Sequence, residues 1–158
     1  MAIDDVAFEI LIKKFARAAA AGDATALAAL FTSDGVYDDY FFGPYQGEAA
    51  IAEMLAHFAE GGRDFRWEFF APVASADRAY ASYRFSYTST HPDAKAARVT
   101  FDGMARFELE AGRIKRYSEV FDRGMALAQQ NYAPERIAKI CARYGAALKA
   151  RPEWVEHL

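Results

Sequence analysis

Two carboxylates in this chain sit where carboxylates are unusual, inside runs of aromatic residues. Asp38 lies in Val36-Tyr37-Asp38-Asp39-Tyr40-Phe41-Phe42, and Glu119 lies between Tyr117 and Phe121. A carboxyl group taken out of water resists ionisation, so its pKa climbs toward neutrality and it becomes a useful acid or base. Tyr40, Tyr83, Tyr87 and Tyr117 supply phenolic hydroxyls able to position oxygens beside such a pair. His57 lies beside the inner stripe of a predicted helix, where it is able to point inward and exchange protons near neutral pH.

Each assignment has a plainer counterpart. Asp38 reads equally as a surface carboxylate, with Asp39 the inward one. Glu119 reads equally as a buried ion-pair partner of Arg84 or Arg106. Tyr83, Tyr87 and Tyr117 serve as ordinary core residues unless their sheet face is a cavity. His57 in that setting is commonly structural or exposed. Cys141, on an apolar stripe, reads as core.

The elements that must position these groups follow from periodicity. Residues 4–20 form a helix whose apolar side is Val6, Ile10, Leu11, Phe15 and Ala18. Gly22-Asp23 stops it and caps a short helix over 24–31. Ser33-Asp34-Gly35 reads as a turn, 36–42 as a strand closed by Gly43-Pro44, and 48–60 as a helix with Ile51, Met54, Leu55 and Phe58 inward. Four strands follow, over 66–75, 79–90, 97–110 and 113–123. Side chains alternate along a strand. One face therefore carries Ala81, Tyr83, Phe85 and Tyr87, then Val99, Phe101, Gly103, Ala105 and Phe107, then Tyr117, Glu119 and Phe121. A last helix over 134–150 begins at Pro134, with Ile137, Ile140, Cys141, Tyr144 and Leu148 on its stripe. Long strands joined by short turns predict an antiparallel sheet. Helices first and strands after predict an α+β fold, and the absence of repeats or linkers predicts one domain over 1–158.

Composition narrows the classes of function. A chain of 158 residues is long enough to bury a full core. A net charge of -3 argues against a nucleic-acid partner, which needs a basic stripe. One cysteine allows no intrachain disulfide, and the three histidines have no metal-ligand spacing, so no metal is expected. The N-terminus has no secretory pattern and no run approaches a membrane span, so a soluble, cytoplasmic protein without a membrane partner is the expectation.

The order helix, short helix, strand, helix and long strands resembles the nuclear-transport-factor-two-like superfamily, including SnoaL-like proteins. Gly22-Asp23-Ala24-x-x-Leu27, Phe31-x-x-Asp34-Gly35-Val36 and Gly47-Glu48-x-x-Ile51 look like its opening, and Gly112-Arg113-Ile114 with Phe121-Asp122 looks like its closing hairpin. The resemblance covers about residues 5–125, leaving 132–158 as a C-terminal helical extension. It implies a cone-shaped barrel, in which N-terminal helices pack on a strongly curved sheet whose concave face is a cavity. Tyr83, Phe85, Tyr87, Phe101, Tyr117 and Phe121 would then line a substrate pocket with Phe15, Met54 and Phe58.

Two enzyme groups within that superfamily resemble this chain residue by residue. Against ketosteroid isomerases, Asp38 falls on the proton-shuttling base, while Phe15 and Gly103 stand where the oxyanion donors would be. Against limonene-type epoxide hydrolases, Tyr117-Ser118-Glu119-Val120-Phe121-Asp122 resembles the last-strand motif and Glu119 falls on an acidic catalytic position, without the arginine–aspartate pair of that chemistry. A third resemblance is to sphingomonad lyases, which release formaldehyde from lignin-derived diaryl dimers without a cofactor. It rests on the Tyr37 to Gly43 run, the alanine-rich helices and the C-terminal extension.

The expected function is therefore a cofactor-independent carbon–carbon lyase acting on a small aromatic or hydrophobic substrate, with Asp38 and Glu119 as its acid and base. An isomerase, cyclase or hydratase would use the same pocket, and a non-catalytic ligand-binding domain would not need its carboxylates. Tyr80, Met104 and Val120 on the outer sheet face point to a homodimer or homotrimer.

Overall fold

The computed structural model describes residues 3–158. The first helix, α1 (Asp5–Ala21), starts where the Asp4 carboxylate accepts the Ala7 amide at 2.7 Å. It stops at Gly22, whose φ of 70° places it in the left-handed region that closes helices. Asp23 caps α2 (Ala24–Ala28) through the Ala26 amide at 2.9 Å. The buried face of α1 is Phe8, Leu11, Ile12, Phe15 and Ala19. Val6 and Ile10, predicted inward, are 68% and 52% exposed. The Phe8 ring meets Phe107 edge-on at 5.1 Å, and this large contact turns the helix so that Ile12 and Phe15 face the sheet with it.

The remaining framework is a helix, α3 (Gly47–Gly61), and six strands: β1 (Phe31–Asp39), β2 (Gly43–Gln46), β3 (Gly62–Ser75), β4 (Arg78–Ser89), β5 (Arg98–Glu110) and β6 (Arg113–Phe121). They form one sheet in the order β2-β1-β6-β5-β4-β3. That order does not close on itself, so the expected cone is an open curved sheet and not a barrel. Neighbours are antiparallel except β1 and β6, which run parallel. A parallel pair needs a long crossover. Here the chain from β2 through α3, β3 and β4 to β5 supplies it, which corrects the expectation of an all-antiparallel sheet.

Three local expectations change. Ser33-Asp34-Gly35 is not a turn before a strand but lies within β1, where the pairing with β6 shifts register between Phe31 and Val36. A side chain on Gly35 would sit 2.9 Å from both the Ile114 carbonyl oxygen and the Phe31 Cβ, so the irregular stretch requires glycine. Gly43-Pro44 opens β2, a strand too short to show a period. Finally, Asp122 accepts the Met125 amide at 2.8 Å and begins a helix, α4 (Arg123–Gln129), where the last strand was expected to continue.

The last helix, α5 (Pro134–Lys149), buries none of its residues, and Cys141 is half-buried and not core. The strand faces match alternation. Ala81, Tyr83, Phe85, Val99, Phe101, Ala105, Phe107 and Tyr117 point into the core with Tyr37. Tyr80, Met104 and Val120 lie on the other side, 42%, 53% and 56% exposed. Among the described residues, no helix is long and apolar enough to cross a membrane.

Candidate active site

Alternation along β1 puts Tyr37 and Asp39 inward and Asp38 outward. The Asp39 residue is 4% exposed, and its Oδ1 accepts the Phe41 and Phe42 amides at 2.8 and 2.9 Å. This local turn ends the strand and folds residues 40–42 over its tip. Burial pushes the Asp39 carboxyl up to about 6, against the pull of the two amides. Asp38, by contrast, pairs with Arg116 on the other side of the sheet. The assignment of Asp38 to the cavity is thus corrected by one residue, to Asp39.

Glu119 belongs to β6, opposite Ala105 of β5. Its Oε2 accepts the hydroxyls of Tyr83 and Tyr117, each at 2.7 Å. No arginine reaches it: Arg84 pairs with Glu68 and Arg106 with Glu108. Burial first, and then the Asp39 charge, push the Glu119 carboxyl up to about 8, although both phenols favour its ionised form. The phenols in turn are held far above their usual range by burial and by the Glu119 charge, so they remain donors.

Gly103 explains how Tyr83 reaches Glu119. The two face each other across β4 and β5. A Cβ on Gly103 would lie 2.2 Å from the Tyr83 hydroxyl and 2.1 Å from its Cζ, so the phenol lies across a gap that only glycine leaves open. The space near Gly103, where a ketosteroid isomerase would carry an oxyanion donor, is filled by this ring.

Both carboxylates line one cavity. Phe41 and Phe42 of the β1–β2 turn, His57 and Phe58 of α3, Phe65 and Trp67 of β3, Tyr83, Phe85 and Tyr87 of β4, Phe101 of β5 and Phe121 of β6 form its walls. Phe101 and Phe121 stack at 4.2 Å. Tyr45 of β2 sets His57 in place, with its hydroxyl 3.0 Å from Nδ1. Burial pushes the Tyr87 phenol up to about 12.

Several predicted residues lie elsewhere. Phe15 is fully buried and stacks on Tyr37 at 5.7 Å, so it is core. Met54 is likewise fully buried in the core. Tyr117 reaches the site only through its bond to Glu119. The Tyr40 ring leaves the cavity, packing on Phe121 at 5.2 Å and under the Arg123 guanidinium at 3.8 Å. The unforeseen wall residues divide by signal. Phe65 and Trp67 alternate in the sequence, so their shared face is readable. Phe41 and Phe42 depend on a turn that carries no period.

The arrangement offers two carboxyl groups with different proton affinities in an aromatic enclosure, which is the requirement for paired acid and base catalysis. Among the described residues, two buried side-chain polar atoms have no hydrogen-bond partner, Tyr37 Oη beside Tyr117 and Nε1 of the cavity wall residue Trp67. Among the described residues, no cluster of His, Cys, Asp or Glu is placed to hold a metal ion.

With this geometry in hand, the relatives are informative. Residues 12–117 match the family model of the SnoaL-like domain. No curated protein matches the chain. Among solved structures, TsrD from Streptomyces laurentii is similar with a TM-score of 0.68 and 19% identity, covering 81% of this chain and 96% of that one. A candidate polyketide cyclase from Xanthomonas campestris gives 0.66 at 22% identity, over 80% and 98%. An LEH-like epoxide hydrolase of M. tuberculosis gives 0.65 at 18% identity, over 80% and 91%. At these identities the likeness is one of fold.

Proposed function

We propose that this chain, which belongs to the SnoaL-like family, is a cofactor-independent enzyme that moves protons on a small aromatic substrate, with Glu119 as acid and Asp39 as base. One observation carries the reading: a carboxyl group held by two phenols shares an aromatic cavity with a second buried carboxylate. At pH 7 a carboxyl near 8 is mostly protonated and one near 6 is mostly ionised, so acid and base are set in the resting enzyme. The names of the cyclase and hydrolase neighbours agree with chemistry on small molecules.

The finer proposal is a carbon–carbon lyase acting on a phenolic diaryl-propanediol. Glu119 gives its proton to the benzylic hydroxyl, which leaves as water, and the phenol ring carries the resulting cation as a protonated quinone methide. Asp39 takes the proton of the terminal hydroxymethyl group. The carbon–carbon bond breaks, its electron pair reduces the quinone methide to a stilbene, and formaldehyde departs. Glu119 has lost one proton and Asp39 has gained one, so a proton returned between them resets the site. The aromatic rings on the cavity walls suit a substrate that carries aryl groups. Acid–base help of this kind is worth roughly 10²–10⁴-fold in rate.

The experiment is to incubate the enzyme with a phenolic 1,2-diarylpropane-1,3-diol and measure formaldehyde and stilbene. Equal yields of both, lost in Glu119→Gln, support the lyase. A converted substrate with no formaldehyde makes the enzyme an isomerase or cyclase using the same pair. Tight binding without turnover, unchanged in Glu119→Gln, makes it a binding domain. A second copy docked on the exposed Tyr80, Met104 and Val120 face, as a homodimer or homotrimer, belongs to the same proposal.

A further inference from the structure

Arg123 opens α4 and Tyr144 lies in α5, both beyond the residues 12–117 that match the SnoaL-like family model. The Arg123 guanidinium sits between two rings, 3.8 Å from the centre of Tyr40 and 3.6 Å from that of Tyr144. Its Nη1 also donates to the Tyr40 carbonyl oxygen at 2.8 Å. Tyr40 is the link between Asp39 and the Phe41 and Phe42 amides that bind the Asp39 carboxylate. The same short turn supplies the Phe41 and Phe42 walls of the cavity. A helix that buries none of its own residues thus reaches the site through one cation.

We propose that the C-terminal helix is a working part of the site: Tyr144, acting through Arg123, positions the turn at residues 40–42 and with it the Asp39 carboxylate. Both are positioning residues, and the proposal rests on Asp39 serving as the base. A flat guanidinium between two ring faces fixes the plane of Tyr40, while its hydrogen bond fixes the Tyr40 carbonyl. Removing the Tyr144 ring frees the cation to swing into solvent, and the turn is then left to its own Asp39 bonds and to ring contacts, Phe121 at 5.2 Å to Tyr40 and 5.0 Å to Phe41, and His57 at 5.7 Å to Phe42.

Loosening the turn has a definite sign. The titratable groups in charge contact with Asp39 are Tyr37 on β1, Tyr45 on β2, His57 on α3, Tyr83 on β4, Glu119 on β6 and Tyr144 on α5, with Asp38 acting from the far side of the sheet. Burial outweighs the two amides and His57, which favour the ionised form. A freed carboxylate loses its amides but regains water, and so returns toward its ordinary value of 3.8.

The test needs no substrate. Full-length protein labelled at the aspartate carboxyl carbons is titrated by NMR, with the Asp39 signal identified by its loss in Asp39→Asn. The wild-type midpoint is expected near 6. In Tyr144→Leu it falls by about a unit, and in Tyr144→Phe, which keeps a ring over the cation, it stays in place. An unchanged midpoint in Tyr144→Leu overturns the proposal, as does an equal fall in both variants. Failure here leaves the acid–base reading standing, whereas full turnover by Asp39→Asn would sink that reading and leave the brace intact.

Discussion

Replacing Glu119 by glutamine should make the protein more stable, and the gain should grow with pH. The buried carboxyl ionises near 8 in the folded chain, against an ordinary value of 4.5. Below 4.5 both folded and unfolded chains hold the proton, and Glu119 contributes no pH dependence. Between the two values the unfolded chain releases the proton and the folded chain keeps it, so stability falls as pH rises and levels off above 8. The full span is roughly 3.5 units at about 1.36 kcal/mol each, or about 5 kcal/mol. Water entering the cavity screens much of that, so about 2 kcal/mol is the expected difference. Glutamine keeps an oxygen for the Tyr83 and Tyr117 hydroxyls and has no charge to bury. Urea unfolding of both proteins at pH 5, 7 and 9 measures the effect, and titrations of groups that do not interact with Glu119 cancel in the difference. The reasoning is refuted if the two proteins keep a constant gap across that range, or if the gap narrows as pH rises.

Further outcomes follow from the same geometry. Gly103→Ala places a methyl group on the Tyr83 phenol, so it should cost about 1–3 kcal/mol in chemical unfolding and remove one of the two donors from Glu119. Turnover of a diaryl-propanediol should fall away below about pH 6, as Asp39 takes up a proton, and above about pH 8, as Glu119 releases one. Asp39→Asn should abolish the acid limb of that profile and Glu119→Gln the alkaline one. A profile flat from pH 5 to 9 would remove both groups from the rate.

Much of this site was readable in the residues, and the parts that were not have specific causes. Tyr83, Phe85, Tyr87, Phe101, Glu119 and Phe121 share the cavity-lining face because β4, β5 and β6 are long strands with one consistent aromatic face. β1 defeated the same rule by one position. In Val36-Tyr37-Asp38-Asp39-Tyr40-Phe41, either alternate set is largely apolar and each contains an aspartate. What decides between them is the pairing of Tyr37 with Tyr117 and the irregularity at Gly35, neither of which is a local signal. Phe15 and Met54 were correctly read as inward, but an inward helical residue is core or cavity according to its depth in the fold. Tyr40, expected to position oxygens, instead holds Arg123 over its ring, in α4 where periodicity predicts a continuing strand.

The central claim is that the inward carboxylate of the Asp38-Asp39 pair carries the chemistry. Turnover of Asp38→Asn and Asp39→Asn, measured side by side, tests it most directly. Asp39→Asn should lose roughly 10²–10⁴-fold in kcat, while Asp38→Asn, which gives up only the Arg116 pair on the far side of the sheet, should remain close to wild type. Loss confined to Asp38→Asn, or equal activity in both, would contradict the account.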